Sequence, residues 1–381
     1  MTPQTSRRIE VLIVGAGQAG LATGHELADR GIPFLIVHAD ERVGDQWRRR
    51  WASLRLYSPA VVDGLPGMPF PAARLHFPSG AEMADYLEQY AARFDLPIEH
   101  GVRVERIERA SDGKGFVVEA GARRYEADQV IVAAGSFRTP RVPSLATELD
   151  PSIRQLHSID YRDPSQLAPG PVLVVGASHS GADIAHEAAL AGHPTTLAGR
   201  VHGQFPVRYD RRVAQLGFGI LLFMARYVLT LRTPIGRRMA VEVRKGGGPL
   251  LRIRRPDLAA AGVALIEQRV TAVVDGRPQV ADGRVVDAAT VIWSTGFRPD
   301  FAWIEPAELD ADGWPIQRRG VVESAPGLYF VGLLFQYAFA SMLVAGVGRD
   351  ARFVVEQLEA RRSALARGAL AGESARPASA V

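Results

Sequence analysis

Two short segments have the residue types and spacing of a turn that binds a diphosphate. Residues 15–20 read GAGQAG after an apolar run, and residues 176–181 read GASHSG after another. The first glycine allows the tight turn, the second position lets the backbone approach the phosphates, and the third lets helix and strand pack closely. The phosphates then lie at a helix N-terminus, where free amides and the helix dipole favour an anion. The two segments together predict two dinucleotide sites.

The surroundings of the two segments repeat with them, at a constant offset of 161 residues. The helical stretch after each segment ends at a glycine, Gly31 or Gly192, and a proline follows two places on. Later, residues 132–135 (VAAG) are matched by residues 293–296 (WSTG). One glycine-rich turn is a weak signal, because other tight turns share its residues. A repeat that carries strand, turn, helix and second strand in order indicates two copies of one folding unit.

The end of the second strand in each unit indicates which nucleotide binds there. An acidic residue at this position bonds the ribose 2′-hydroxyl, whereas an arginine accepts a 2′-phosphate. The second unit has Gly199 followed by Arg200, which favours NADPH over NADH. A plain cap on the strand end is the alternative role for Arg200. The first unit has His38 where an acid is expected; an imidazole nitrogen can still bond the hydroxyl, and Asp40 and Glu41 lie nearby.

The elements that position these turns alternate between strand and helix. The apolar pattern predicts strands at 9–14, 34–38, 172–175, 195–198 and 290–294, and helices at 21–30, 182–191 and 350–361. Ser79 and Glu82 form a capping-box pattern before a further helix. Prolines between residues 140 and 171 mark a linker into the second unit, and residues 366–381 are predicted to form a disordered tail.

The composition excludes several kinds of site. The chain has 381 residues and no cysteine, which excludes disulfides, a redox-active cysteine pair and thiolate metal sites, and we predict no metal site. The net charge is +4, carried almost wholly by scattered arginines, and we expect no nucleic-acid partner. Residues 1–8 lack the apolar core of a secretory signal, which favours the cytoplasm.

Residues 213–231 form the one long apolar run, interrupted by Gln215 and Arg226. Its length is near the lower limit of a membrane span, and a central arginine makes spanning costly. We expect a buried helix or one that covers the substrate pocket. Peripheral membrane contact, through a helix that lies in the interface, is the alternative.

Several further segments carry a family pattern. Residues 43–48 (VGDQWR) are similar to a Gly-Gly-x-Trp segment, and residues 53–59 (SLRLYSP) continue it. The pattern returns in residues 294–300 (STGFRPD) and in the C-terminal segments 327–332 and 341–350. With the two glycine-rich units, these motifs resemble flavin-containing monooxygenases, in their bacterial YUCCA-like and CzcO-like branch. The resemblance covers nearly the whole chain and is specific for the superfamily, not for a substrate.

The resemblance implies an α/β fold of two Rossmann-like dinucleotide-binding domains of the three-layer ββα type, the second inserted into the first. Residues 1–165 and 294–365 would form the FAD-binding domain, and residues 166–293 the NADPH-binding domain. The cofactor-binding residues that we predict are Gly15, Gly17, Gln18, Ala19, Gly20, His38, Asp40, Gln46, Trp47, Arg55, Val104, Ala134, Gly135, Gly176, Ser178, Ser180, Gly181, Arg200, Thr295, Gly296, Gly332, Ser341 and Met342.

The signature of the family, Phe-x-Gly-x-x-x-His-x-x-x-Tyr or Trp, is matched only in its second half. His157 and Tyr161 fit, whereas Pro151 and Ile153 stand at the Phe and Gly positions. A final tyrosine is more similar to the branch that oxygenates heteroatoms and carbon than to the Baeyer–Villiger branch. The resemblance therefore makes His157 and Tyr161 candidate catalytic residues; chance linker residues are the alternative.

The resemblance also directs attention to Tyr57 and Ser58. Animal-type members carry an Asn near the reactive carbon of the flavin, and Tyr57 stands at the matching position here. The hydroxyl of Tyr57 or Ser58 would take the place of that Asn. An aromatic lining of the pocket is the alternative role for Tyr57.

These features predict an FAD-dependent, NADPH-consuming monooxygenase. Hydride would pass from NADPH to the flavin, which would react with O2 to a C4a-hydroperoxide and transfer one oxygen atom to a small organic substrate. A reductase or oxidase that passes electrons to an acceptor or to O2 without oxygen insertion shares every glycine and is the alternative. A nucleotide sensor without turnover is a third. The substrate and the oligomeric state, monomer or homodimer, stay open.

Overall fold

The computed structural model describes residues 6–205 and 212–374. Its strands are β1 Ser6–Val14, β2 Phe34–Val37, β3 Ile98–Glu99, β4 Arg106–Arg109, β5 Phe116–Ala120, β6 Arg123–Val132, β7 Thr139–Pro140, β8 Arg154–His157, β9 Val172–Val175, β10 Thr195–Ala198, β11 Ala264–Ile266, β12 Val270–Val274, β13 Arg277–Val280, β14 Thr290–Trp293, β15 Phe297–Arg298 and β16 Leu328–Phe330. Its helices are α1 Gln18–Asp29, α2 Asp45–Arg48, α3 Gly80–Arg93, α4 His179–Leu190, α5 Arg212–Phe223 with a π-helical turn Met224–Val228, α6 Pro234–Lys245, α7 Arg255–Ala260 and α8 Val344–Ser374.

The second sheet is nested within the chain path of the first. The first sheet has the order β3-β2-β1-β6-β5-β4, and β16 joins it in parallel beside the last residues of β6. The second sheet has the order β11-β10-β9-β14-β8, and all of its strands lie between β6 and β16 in the sequence. The predicted α/β fold, two Rossmann-like units with the second inserted into the first, is confirmed.

Alternate residues of the central strands face different layers. In β9, Val172 and Val174 pack in an apolar cluster with α4 and α7. Leu173 and Val175 pack in another cluster, against the β12–β13 ladder. Because both faces are covered, every residue of β9 is apolar and buried. Helices, sheet and antiparallel ladder form the three layers of this unit.

The backbone repeats with the sequence. α1 and α4 begin and end at positions offset by 161 residues, and so do β2 and β10. The amide of Gly15 donates to the carbonyl of Val37 at 2.8 Å, and the amide of Gly176 donates to the carbonyl of Ala198 at 2.7 Å. Each glycine-rich turn is therefore tied to the end of its own second strand in the same way.

Two boundaries differ from the prediction. β8 pairs with β14 in the second sheet, so this sheet begins before residue 166, the predicted start of the second domain. The sequence hides β8 because Arg154 and Gln155 are exposed polar residues, which interrupt the apolar pattern. α8 runs to Ser374, past residue 366 where the disordered tail was predicted, because its alanines favour helix. Residues 375–381 lie outside the described part.

The prediction of a buried helix within residues 213–231 is confirmed for Phe218 and Ala225 but not for three large apolar side chains. Ile220, Phe223 and Tyr227 are 71%, 57% and 58% exposed. The hydropathy of the run suggests burial, but none of the described residues covers these three side chains. Among residues 6–205 and 212–374, no helix is both long enough and apolar enough to cross a bilayer.

Candidate functional site

Each glycine-rich turn requires glycine at its first and third positions for a steric reason. Gly15 has a φ of +110°, and a Cβ there would lie 2.6 Å from the carbonyl oxygen of Ala133. A Cβ on Gly20 would lie 1.8 Å from the carbonyl oxygen of Gly15. For Gly176 and Gly181 the corresponding distances are 2.3 Å and 1.9 Å. Turn, helix and neighbouring strand end therefore approach each other equally closely in both units.

The helices after both turns begin without a side-chain cap. Gly17, the N-cap of α1, has no side chain, and the hydroxyl of Ser178, the N-cap of α4, accepts no hydrogen bond from the helix amides. Oγ of Ser178 contacts Nδ1 of His179 instead, at 3.3 Å. Uncapped amides at a helix N-terminus bind anions such as phosphate. These first turns also contain the predicted residues Gln18, Ala19 and Ser180.

His38 contacts the first turn and keeps one ring nitrogen available. Its Nδ1 accepts a hydrogen bond from the amide of Ala16 at 3.3 Å. Its Nε2 is buried without a hydrogen-bond partner in the described structure; Asp40, which pairs with Arg49, lies 3.7 Å away. Burial lowers the pKa of His38, so the ring is neutral, and the Ala16 contact assigns its proton to Nε2. An orphaned Nε2–H donor fits the ribose hydroxyl predicted for this position.

Arg200 follows the glycine that ends the second strand of the other unit. Gly199 has a φ of +146°, and a Cβ there would lie 2.8 Å from the amide nitrogen of Ala177 in the second turn. The chain therefore passes directly against that turn before it reaches Arg200, which is exposed. No carboxylate pairs with Arg200 within the described residues. Its guanidinium is available to a phosphate.

The strand ends opposite the turns bend sharply. Gly135 and Gly296, in the segments after β6 and β14, have φ of +73° and +79°. The hydroxyl of Thr295 donates to the backbone carbonyl of Arg141, and the amide of Arg141 donates to the carbonyl of Gly296 at 2.9 Å. These bonds fix the end of β14 in the second unit. In the first unit, Ala134 stands at the position of Thr295, before Gly135.

The C-terminal segment packs against the first turn. A Cβ on Gly332 would lie 2.7 Å from Cβ of Ala19 in α1. Ser341 is fully buried, and its Oγ accepts the amide hydrogens of Tyr337 at 3.2 Å and Ala338 at 3.1 Å. Gly332 is thus placed beside the nucleotide turn, while Ser341 stabilises the backbone just before α8.

Predicted residues from the loop after β2 differ in their surroundings. Gln46 lies beside the first turn, since its Nε2 is 4.0 Å from the position of a Cβ on Gly17. Nε1 of Trp47 is buried without a hydrogen-bond partner in the part of the chain described. Arg55 is exposed and pairs with Glu82 of α3 at 3.5 Å. Its contact with the cofactor stays a prediction.

Val104 and Met342 belong to the apolar core. Val104 is 6% exposed, and Met342 packs against the same cluster on one face of the first sheet. Neither side chain carries a strong hydrogen-bonding group. A contact of either residue with the cofactor would involve its backbone or its apolar surface, and both contacts stay predictions.

Tyr57 joins the two units at the second turn. Its hydroxyl donates to Oδ2 of Asp183 at 3.1 Å, and its ring lies 5.2 Å from the ring of His179. Asp183 is buried and also pairs with Arg252, Nη2 to Oδ2, at 2.9 Å. Arg252 further donates to the carbonyl of Ser53 at 3.0 Å. Burial raises the pKa of Asp183, and the nearby guanidinium opposes that rise.

Sequence reasoning missed the partners of Tyr57. Asp183 lies 126 positions away along the chain, and only the packing of the two units brings it into contact. His179 follows the predicted Ser178, and burial lowers its pKa to about 4, so the ring beside Tyr57 is neutral. The sequence offered one indication of this contact. Asp183 is a carboxylate on α4, the helix that begins at the second turn.

Ser58 bonds to a buried carboxyl group. Its Oγ donates to Oδ1 of Asp63 at 2.5 Å, whereas Oδ2 has no hydrogen-bond partner in the described structure. Burial raises the pKa of Asp63 to about 7, although the bond from Ser58 lowers it. A groove of about 470 Å³ lies next to this pair, lined by residues of the 61–69 loop and by Leu222 and Arg226.

We expect Asp63→Asn to change how stability depends on pH. The folded pKa of about 7 exceeds the unfolded value of about 3.9, so protonation of Asp63 stabilises the fold below pH 4 and this stabilisation is lost as pH rises to 7. Between about pH 5 and about pH 8 the wild type should lose roughly 2.5 kcal/mol of unfolding free energy relative to the variant. Urea unfolding at both pH values measures this. Asp112→Asn, at an exposed turn, is the control, and parallel curves for wild type and Asp63→Asn would contradict the assignment.

His157 and Tyr161 are both buried in this fold. Nδ1 of His157 accepts from the amide of Ile159 at 3.2 Å, and its Nε2 donates to the carbonyl of Gly296 at 3.1 Å. Tyr161 is fully buried in the apolar cluster around Trp51, and burial raises its pKa. The ring nitrogens of His157 bond to backbone groups, and the hydroxyl of Tyr161 is buried without a hydrogen-bond partner in the described structure. The catalytic roles of both residues stay predictions.

The fold and the paired turns define a class of protein. Two dinucleotide-binding units lie in one chain, each with an uncapped helix behind a glycine-rich turn, and Tyr57 connects them. This arrangement is that of an oxidoreductase with two nucleotide sites.

The comparisons with known proteins give the family. The model of the pyridine nucleotide-disulphide oxidoreductase family matches residues 12–214, and the chain belongs to this family. It is 36% identical to an uncharacterised CzcO-like oxidoreductase of Geobacillus kaustophilus, over 92% of this chain and 98% of the relative. It is 26% identical to a probable indole-3-pyruvate monooxygenase, YUCCA9 of Arabidopsis thaliana, over 91% and 88%.

A solved structure extends this result. The flavin-containing monooxygenase of Stenotrophomonas maltophilia is 28% identical, with a TM-score of 0.73 over 93% of this chain and 99% of that one. The resemblance to flavin-containing monooxygenases is confirmed. The family name includes disulphide chemistry, but this chain has no cysteine to perform it.

Proposed function

We propose that the chain is an FAD-dependent, NADPH-consuming monooxygenase that inserts one oxygen atom of O2 into a small organic substrate. The observation that carries the proposal is the pair of uncapped helix N-termini, one behind each glycine-rich turn, with Tyr57 of the first unit bonded to Asp183 of the second. When bound, the two nucleotides supply hydride transfer and the activation of O2. The side chains of the protein bind and orient them. The cytoplasm stays the expected location.

The residues of each unit have separate tasks in this proposal. Nε2 of His38 donates to the ribose of FAD, and the guanidinium of Arg200 binds the 2′-phosphate of NADPH. Tyr57, held by Asp183, fixes the contact between the units. Asp63, whose pKa burial raises to about 7, can hold a proton near neutral pH, while Oγ of Ser58 donates to its Oδ1.

The groove beside the 61–69 loop favours an apolar substrate with an anionic group. Its lining combines apolar side chains, among them Leu222 and Met68, with backbone and the guanidinium of Arg226. Nε of Arg226 is buried without a partner in the described structure, while its Nη2 bonds the carbonyl of Ala345. Because the plant relatives are named indole-3-pyruvate monooxygenases, aromatic 2-oxo acids are the first substrates to test.

A reductase or oxidase is the second candidate. It is favoured by Tyr57 at the position of the family Asn and by the burial of His157 and Tyr161. Such an enzyme would consume NADPH and release peroxide at the same rate with and without an organic substrate.

A turnover assay with purified protein and isotopically labelled O2 decides between the two candidates. The substrate panel contains 2-oxo acids, ketones, sulfides and amines. The monooxygenase requires flavin released on denaturation, NADPH oxidation accelerated by one substrate class, and label in the organic product. Peroxide release without labelled product would establish the oxidase instead. Protein that carries no flavin and cannot be loaded with it would contradict both.

A further inference from the structure

Five large apolar side chains are exposed within one short helical segment of the second unit. Residues 220–227, at the end of α5 and in the π-helical turn, form what we call the apolar ridge. The exposed fractions of its members are Ile220 71%, Leu221 44%, Phe223 57%, Met224 36% and Tyr227 58%. The rings of Phe223 and Tyr227 lie 5.2 Å apart, so the ridge is continuous. Contiguous exposed apolar surface of this kind marks an interaction site.

Positive charge is concentrated beside the ridge. Residues 212–245 contain seven basic residues and one acidic residue, whereas the net charge of the whole chain is only +4. Arg232, Arg237 and Arg238 are exposed, and no described carboxylate pairs with any of them. The single acid, Glu242, pairs with Lys245 at 2.9 Å. The surface around the ridge is therefore complementary to an anion.

We propose that the apolar ridge, together with Arg232, Arg237 and Arg238, docks on the surface of a membrane that contains anionic phospholipid. No described helix can span a bilayer, so the ridge lies in the interface. An interfacial helix buries its apolar face at the level of the headgroups, and nearby arginines are attracted to anionic lipid. Phe223 and Tyr227 supply the apolar area, and Arg232, Arg237 and Arg238 supply the charge.

A second copy of the chain fits this surface less well. A symmetric dimer places the same patch of both subunits face to face, which would bring two clusters of unpaired arginines together. Like charges without intervening carboxylates repel. The charge of the ridge surroundings thus selects an anionic bilayer over self-association.

Docking would also place the groove next to lipid. Leu222 and Arg226 belong to the ridge segment and line the groove of about 470 Å³ beside the 61–69 loop. An apolar substrate dissolved in the bilayer would then reach the groove without crossing water. This consequence rests on the proposed function, whereas the docking itself does not.

Flotation of the flavin-loaded full chain with lipid vesicles tests the proposal. We expect binding to vesicles of phosphatidylcholine mixed with phosphatidylglycerol, little binding to phosphatidylcholine alone, and a decrease with added salt. Arg237→Gln with Arg238→Gln removes two charges and should weaken binding roughly twentyfold. Phe223→Ser with Tyr227→Ser should weaken it by at least roughly tenfold, because the buried apolar area is lost.

Leu190→Ser is the matched control, because Leu190 is 69% exposed on α4, away from the ridge segment. Circular dichroism and flavin content show whether each variant is folded. Equal binding by all variants, or no preference for anionic vesicles, would overturn the proposal. So would a dimer in solution that the Phe223→Ser/Tyr227→Ser variant dissociates. Turnover of a water-soluble substrate without vesicles reports on the proposed function separately.

Discussion

Gly20→Ala should yield protein that retains no flavin and whose free energy of unfolding is lowered by more than about 3 kcal/mol. A Cβ at this position would lie 1.8 Å from the carbonyl oxygen of Gly15 and 3.5 Å from Cβ of Ala133. The first clash is with backbone, so no side-chain rotation relieves it. α1 must move away from the turn, and its N-terminal amides then leave the positions at which they can bind a diphosphate.

The ratio of flavin to protein absorbance and urea unfolding measure the two effects. Gly17→Ala is the matched control for the unfolding measurement, because a Cβ there meets only the side chain of Gln46 at 4.0 Å and the φ of Gly17 is −77°. This control should unfold within about 1 kcal/mol of the wild type. Flavin retention by Gly20→Ala at the wild-type level would show that the turn and helix are not held at this distance.

The features predicted well from the sequence are those fixed by local chemistry. The boundaries of β9 and β10 match the prediction because each strand is a four-residue run of β-branched or apolar residues between a proline and a glycine. The capping box also forms, since Oγ of Ser79 accepts from the amide of Glu82 and the carboxylate of Glu82 accepts from the amide of Ser79. The two glycine-rich turns were also predicted correctly. Backbone carbonyl oxygens lie so close to Gly20 and Gly181 that a Cβ would clash with them, so these positions require glycine.

The features that the sequence hides depend on contacts between distant segments. Tyr57 was recognised as a candidate, but its bond to Asp183 exists only because the second unit packs on the loop after β2. Asp63 reads as an ordinary loop carboxylate, and only the fold buries it beneath Ser58. The exposure of residues 220–227 is hidden for the converse reason, because apolarity alone does not show whether another layer covers a helix.

The candidate site combines one residue that departs from the expected pattern with one that follows it. His38 replaces an acid, yet the amide of Ala16 occupies its Nδ1 and leaves a donor at Nε2, the group that a ribose hydroxyl can accept from. Arg200 follows the rule for a 2′-phosphate, and its exposed position beside the second turn agrees with it. The two units have therefore diverged at the strand end, where nucleotide identity is read, while their turns have stayed alike.

Arg200→Ser should raise the KM for NADPH roughly 10–100-fold and leave the KM for NADH nearly unchanged, because a charge-assisted bond to phosphate contributes about 1.5–3 kcal/mol. We expect the same relative increase in the dissociation constant of NADPH, and no increase in that of NADH, when the flavin-loaded enzyme is titrated with each cofactor. Serine keeps a small polar side chain at the strand end, and Gly199, whose φ of +146° sets the path of the chain, is left in place.

Arg277→Ser is the control, since Arg277 is an exposed arginine of the β12–β13 ladder that pairs with Asp287 at 3.1 Å. This variant should leave both KM values at the wild-type level. If Arg200→Ser instead weakened NADPH and NADH equally, Arg200 would only cap the strand end, and the preference for NADPH would need another source. Because NADH lacks only the 2′-phosphate, the difference between the two cofactors isolates that single contact from every effect on the fold.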